Sequence, residues 1–255
     1  MNMKKLIVAN WKMNPDNAKE AKKLFDAVKK GAKNVKNVEV VICPPFVYLN
    51  LLKGLTLGAQ NVFYKEKGAF TGEVSALQLR DSKVKYVIIG HSESRKYLNE
   101  TNEIINKKIK ECLNEKLKPI LCVGETNEEK KMDKKGTSSS QTKAEVLEKQ
   151  IIEGLKNITK KEVKNIVIAY EPVWAIGSGD NCSIDETMSS ILFIRKVVYK
   201  LYNRAIADNT RVLYGGSVEP DNSASYIKNA GANGLLVGGA SLLAEEFIKI
   251  IKSIE

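Results

Sequence analysis

Apolar residues follow two alternating rhythms along the chain. Short runs rich in Val, Ile and Leu recur at Lys5–Asn10, Val38–Pro44, Thr56–Val62, Lys85–His91, Lys118–Val123, Asn165–Glu171, Arg211–Gly215 and Gly234–Gly238. Several are continuous rather than alternating, as in strands of a parallel sheet buried on both faces. Between them, apolar residues return at helical spacing. The stripes are Ala18, Ala21, Leu24, Phe25 and Val28, then Tyr97, Leu98, Ile104, Ile105, Ile109, Cys112 and Leu113. Val146, Leu147, Ile151, Ile152 and Leu155 form the next, followed by Met188, Ile191, Leu192, Arg195 and Val198, and by Leu242, Leu243, Phe247, Ile248 and Ile251. Each predicts a helix with one face on the sheet. The helical pattern is weakest after the second and third runs. Eight strand–helix repeats in 255 residues predict one α/β domain over residues 1–255, a (β/α)8 barrel of eight parallel strands ringed by helices. An open doubly wound sheet has the same periodicity. The polar stretch Glu128–Thr142 reads as an exposed, mobile loop.

Composition narrows the class. Hydrophobic residues make up 43% and charged residues 28%, an ordinary globular balance. The basic start of the chain precedes only a short apolar run, Leu6–Ala9, too brief for a secretory leader, and no stretch is long enough to span a membrane. Cys43, Cys112, Cys122 and Cys182 lie far apart with no histidine beside them, which argues against a zinc site or a disulfide framework and fits a reducing cytoplasm. The net charge of +11 comes mostly from dispersed lysines, and only 7% of residues are aromatic. Solvated helix faces account for that pattern; attraction of anions is the other use of such charge, and no specific nucleic-acid partner is expected.

In a parallel α/β sheet, ligands bind beyond the carboxyl ends of the strands. Those ends carry Asn10 and Lys12, then His91, Ser92 and Glu93, then Glu125, Glu171, Gly215-Gly216-Ser217 and Gly238-Gly239-Ala240-Ser241. The Gly-Gly turns read either as tight turns or as a backbone cradle for a phosphate. His91, the only histidine, reads as structural or as a neutral ring that donates an N–H at the start of a helix. Glu171 ends an apolar strand before an apolar loop, so it is either paired with a lysine or used as a base strengthened by burial. The segment Pro172 to Gly179, apolar and then Gly-Ser-Gly, has the composition of a lid.

These strings together resemble the triosephosphate isomerase family. The matching segments are Ala9-Asn10-Trp11-Lys12-Met13-Asn14, Gly58–Ser75, IGHSESR (Ile89–Arg95), CVGET (Cys122–Thr126), AYEPVWAIGSG (Ala169–Gly179), YGGSVEPDN (Tyr214–Asn222) and LLVGGASL (Leu235–Leu242). The resemblance implies a TIM barrel that interconverts dihydroxyacetone phosphate and glyceraldehyde 3-phosphate through an enediolate, without metal or cofactor. It casts Glu171 as the base and His91 as the electrophile. Lys12 and Asn10 stabilise charge, and Glu93 orients Lys12. The phosphate falls to Gly177, Ser217, Gly238 and Gly239. The lid is Pro172, Val173, Trp174, Ala175, Ile176, Gly177, Ser178 and Gly179. Thr71, in the loop Gly68–Gly72, is expected to reach a second subunit of a homodimer.

Three departures from the family pattern stand out. Ser94 stands where the family usually has a second arginine beside Arg95, which puts a local ion pair in question. Asp180-Asn181-Cys182 is an unusual lid hinge, and Glu128–Thr142 is longer and more basic than its counterparts. Two other functions share some of these features. A phosphate-binding epimerase would use the same Gly-Gly turns, and a non-catalytic binder of anionic polymers would use the net charge.

Overall fold

The structure is a computed structural model that describes residues 3–132, 142–176 and 181–255. Strands β1 (Lys5–Asn10), β2 (Val38–Cys43), β3 (Thr56–Ala59), β4 (Val84–Ile89), β5 (Lys118–Val123), β6 (Val167–Tyr170), β7 (Arg211–Tyr214) and β8 (Gly234–Val237) pair in parallel in sequence order. β1 also pairs with β8, so the sheet closes into a barrel and the open-sheet alternative falls.

Side-chain alternation explains the continuous apolar runs. Leu6, Val8, Val41, Tyr86, Ile88, Ile120, Val167, Ala169, Leu213 and Leu236 pack together inside the barrel. Their neighbours Ile7, Ala9, Ile42, Val87, Ile89, Leu121, Ile168, Val212 and Val237 pack outward under the helices. Both faces of each strand are therefore apolar. Continued by two residues, the inward register places Asn10 after Val8 and Glu171 after Ala169 at the upper mouth. At the β1–β8 seam the backbones approach so closely that a Cβ on Gly234 would lie 1.8 Å from the Leu6 carbonyl oxygen.

The helices are α1 (Ala18–Gly31), α2 (Ala76–Asp81), α3 (Ser92–Leu98), α4 (Asn102–Asn114), α5 (Asn127–Met132), α6 (Lys143–Gly154), α7 (Ile184–Leu201), α8 (Arg204–Asn209), α9 (Pro220–Lys228) and α10 (Ala244–Ser253). Asn17, Thr101, Thr142 and Ser183 each accept a hydrogen bond from a first-turn amide and so fix where α1, α4, α6 and α7 begin. After β2 there is only a 3-10 turn, Phe46–Leu51, which matches the weak helical pattern there. No described helix is long and apolar enough to cross a membrane.

Several stripes differ from expectation. The Tyr97–Leu113 stripe is two helices, because Asn99 adopts a left-handed conformation (φ 53°) and ends α3. Tyr97 and Leu98 are consequently exposed. In α7 the buried face runs through Thr187, Ser190, Ile191, Ile194, Val197 and Val198, whereas Met188 and Leu192 face outward. The apolar spacing misled there because buried Thr187 and Ser190 are polar; the Ser190 hydroxyl donates to the Glu186 carbonyl. Arg195 instead donates to the carbonyls of Ala207 and Thr210. Ile152 and Leu243 are exposed, and Leu242 and Leu243 precede α10. The stretch Glu128–Thr142 is not a single loop: its first residues belong to α5 and Thr142 caps α6, while 133–141 lie outside the described residues.

One buried ion pair links α4 to the chain ahead of it. Lys108 Nζ meets Glu100 and also donates to Asn61 Oδ1 at 2.8 Å, and both charged side chains are almost wholly buried. Removing one partner strands the other charge. Lys108→Met is expected to lower the unfolding free energy by about 3–5 kcal/mol in urea titration. Lys108→Met with Glu100→Gln should recover part of that loss, and equal stability of the single variant and the parent would refute the assignment.

Candidate active site

Asn10 ends β1 with its side chain buried, and its Oδ1 accepts the Lys12 amide at 3.1 Å. That turn forces Lys12 into the left-handed region at φ 53°, an uncommon conformation for a lysine. Two further contacts hold it there. Gln60, just past β3, donates through Nε2 to the carbonyls of Lys12 at 2.8 Å and Cys43 at 2.9 Å. The Lys12 ammonium in turn donates to Glu93 Oε1 at 2.5 Å. Gln60 lies within the family-like segment Gly58–Ser75, but its role depends on a contact across two strands that the local pattern does not reveal.

His91 caps α3 with its own ring. Nδ1 accepts the Glu93 amide at 3.2 Å, which leaves the proton of a neutral ring on Nε2. Nε2 lies 3.3 Å from Glu171 Oε1. Glu171 is only 2% exposed, and its Oε2 accepts the Ser92 amide at 3.2 Å. Among the described residues no lysine pairs with Glu171, so the ion-pair reading of that carboxylate is set aside. Gly124 allows the approach: a Cβ there would lie 1.7 Å from the Glu171 carbonyl oxygen. Beneath the carboxylate, burial and then the Glu171 charge push the Cys122 thiol well above its ordinary pKa, which keeps it protonated.

The segment after Glu171 is anchored by a second buried carboxylate. Glu125 is fully buried, and its Oε1 accepts both the Tyr170 hydroxyl and the Trp174 indole N–H at 3.0 Å. Its backbone carbonyl accepts the Val173 amide at 3.0 Å. Burial and then the nearby Glu125 charge raise the Tyr170 phenol and hold it as a donor. Val173–Ala175 forms a 3-10 turn against Glu125. Pro172 and Ile176 flank that turn, whereas Gly177, Ser178 and Gly179 lie outside the described residues.

A cavity of about 670 Å³ opens at this mouth, lined by Asn10, Lys12, His91, Glu171, Ile176, Ser217, Gly238 and Gly239. Gly215 leaves room for Glu171, since a Cβ there would lie 3.0 Å from its Cγ. The chain then passes Ser217 into α9, as expected of a turn that leads to a helix. The second Gly-Gly turn enters only a 3-10 turn, Gly239–Leu242, so its anion-binding capacity rests on a few amides and not on a long helix. A Cβ on Gly239 would meet nothing within 4 Å, so the space beside it is open to a ligand.

Of the expected catalytic and dimer-loop residues, Glu93 and Thr71 do not line this cavity; Glu93 meets it through Lys12. Thr71 and the loop around it are exposed and do not line it. Arg95, beside Ser94, has no ion pair among the described residues; it donates to the Gly90 carbonyl, Asn102 Oδ1 and the Cys122 carbonyl. Cys182, in the unusual hinge, is buried, and burial pushes its thiol up to about 11.

A closed (β/α)8 barrel whose mouth brings a buried carboxylate, an imidazole N–H, an ammonium and open glycine turns into one cavity defines an acid–base barrel enzyme for a small anionic substrate. A sequence profile described as triosephosphate isomerase matches residues 5–254. The chain belongs to the triosephosphate isomerase family. It is 45% identical over 258 aligned positions to the triosephosphate isomerase of Carboxydothermus hydrogenoformans, covering 98% of each chain. It is 44% identical to that of Endomicrobium trichonymphae, again over 98% of both chains. With that of Alkaliphilus oremlandii the identity is 42%, over 97% of this chain and 98% of the relative.

Proposed function

We propose that residues 1–255 work as one barrel domain in which Glu171, His91, Lys12 and Asn10 carry out the family's reaction. That reaction interconverts dihydroxyacetone phosphate and D-glyceraldehyde 3-phosphate through an enediolate. The observation that carries the assignment is the convergence of the Glu171 carboxylate and His91 Nε2, 3.3 Å apart, on a cavity that Lys12 also lines. Glu171 takes a proton from the carbon beside the carbonyl and returns it to the neighbouring carbon. His91 donates Nε2–H to the substrate oxygens, and Lys12 with Asn10 stabilises the negative charge that develops there. Glu93 is a positioning residue for Lys12.

Gly238, Gly239 and Ser217 receive the phosphate, joined by Gly177 from beyond the described residues. Binding energy at the phosphate, remote from the reacting carbons, drives Pro172–Gly179 to close and exclude water. Thr71 and its loop complete the site of a second copy in a homodimer; the exposure of Phe70 on that loop supports this reading. The four buried free cysteines support a cytoplasmic setting.

The test is isomerisation of glyceraldehyde 3-phosphate by the purified protein beside an identically prepared Glu171→Ala variant. Rapid turnover by the parent alone supports the assignment. Equal rates in both preparations refute Glu171 as the base.

A further inference from the structure

The net charge is unevenly placed on the barrel. The connections that run from helices back into strands, at the mouth opposite the cavity, carry most of the excess cations. Segments 32–37, 52–55 and 82–83 contain lysines and no carboxylate. Segment 155–166 contains Lys156, Lys160, Lys161 and Lys164 against Glu162 alone. At the strand starts on the same face, Lys85 and Arg211 share one carboxylate, Glu39. The crowding is felt at Lys118, whose ammonium is lowered by burial and then by Lys85. Among the described residues of the cavity side the balance reverses: Asp16, Glu66, Glu73, Glu125, Glu171 and Glu219 outnumber Lys12, Lys65 and Lys67.

We infer that this lysine-rich face docks the phosphodiester backbone of a nucleic acid, by charge and shape and without reading its bases. Lys160, Lys161 and Lys164 are exposed and form no ion pair among the described residues. They wall a cavity of about 640 Å³ against Asn203, Asn209 and Thr210, with no carboxylate in its lining. A second concavity of about 670 Å³, between Lys4, Lys85 and Thr56, lies on the same face; its one carboxylate, Glu39, is already engaged by Lys85 and Arg211. The lysines of the first hollow are spaced along one helix-to-strand connection, which matches the regularly repeated charges of a phosphodiester backbone. Among the described residues the exposed aromatics Phe46, Phe70, Tyr97 and Tyr199 all lie outside these connections, so they offer no exposed ring for stacking unpaired bases. Lysine holds phosphate as a point charge, and the contact is therefore sequence-independent and sensitive to salt.

Fluorescence anisotropy with labelled DNA and RNA duplexes of about 20 base pairs, titrated from about 50 to 200 mM salt, tests the inference. Binding should weaken steeply with salt and be indifferent to sequence. The triple variant Lys160→Glu, Lys161→Glu, Lys164→Glu should bind about 100-fold more weakly at low salt, with the slope of log K against log salt shallower by about 2–3. Its isomerase kcat and KM should equal the parent's, because none of the three residues reaches the catalytic cavity. Should that variant fail to fold, Lys36→Glu with Lys53→Glu on the same face carries the same expectation.

Lys19→Glu with Lys23→Glu, on the flank of α1, controls for general attraction and should leave binding within a few-fold. Absence of duplex binding at low salt overturns the inference, as does equal loss in the α1 control. Tighter binding to phosphatidylserine vesicles than to either duplex would assign the face to a membrane and overturn it too.

Discussion

Glu171→Asp is expected to lower kcat by about 10²–10³ with KM changed by no more than a few-fold. Aspartate keeps the charge but withdraws the carboxylate by one carbon, about 1.5 Å, from the cavity and from the Ser92 amide that holds it. A proton transfer is far more sensitive to that distance than phosphate binding is, since the phosphate is assigned to Ser217, Gly238 and Gly239. Steady-state kinetics in the glyceraldehyde 3-phosphate direction measures both constants. A variant within about threefold of the parent in kcat would remove Glu171 from the role of base, because general acid–base catalysis alone contributes about 10²–10⁴-fold.

His91→Ala is the second large effect, and the structure complicates it in a useful way. The imidazole makes two contacts: Nδ1 caps α3, and Nε2 faces the Glu171 carboxylate in the cavity. Alanine removes both. The loss of the donor should lower kcat by about 10²–10³, and the loss of the cap should cost about 0.5–2 kcal/mol of stability. His91→Asn separates them, because asparagine is a good capping residue yet has no donor at the Nε2 position. Thermal melts should therefore place the Asn variant close to the parent and the Ala variant below it, with both crippled in turnover. Parent-like kcat in the Asn variant would return His91 to a purely structural role.

The same pairing of local and distant contacts explains what could be read in advance. The continuous apolar runs foretold strands covered on both faces, and the alternation within β1 and β6 carries Asn10 and Glu171 to the inner mouth. Cap residues Asn17, Thr142 and Ser183 start α1, α6 and α7, a signal that apolar spacing alone does not use. The error in α7 came from treating apolar identity as burial. The division between α3 and α4 depended on one left-handed residue, Asn99, which apolar spacing cannot register.

Local chemistry in the sequence by itself determined the strand–helix rhythm, the side on which polar chemistry gathers and the residue types available for it. Strand period, helix period and capping act over a few residues and are written in neighbouring positions. Only the tertiary structure decided that the sheet closes, that Gln60 supports Lys12, that Ser92 and not a lysine receives Glu171, and that Glu125 anchors Trp174. It also decided that lysines scattered along the chain gather at the mouth opposite the cavity. Each of these joins residues far apart in the chain through a backbone amide, a buried carboxylate or a shared surface. Such contacts are set by closure of the barrel, which brings the ends of separate strands together regardless of their distance in sequence.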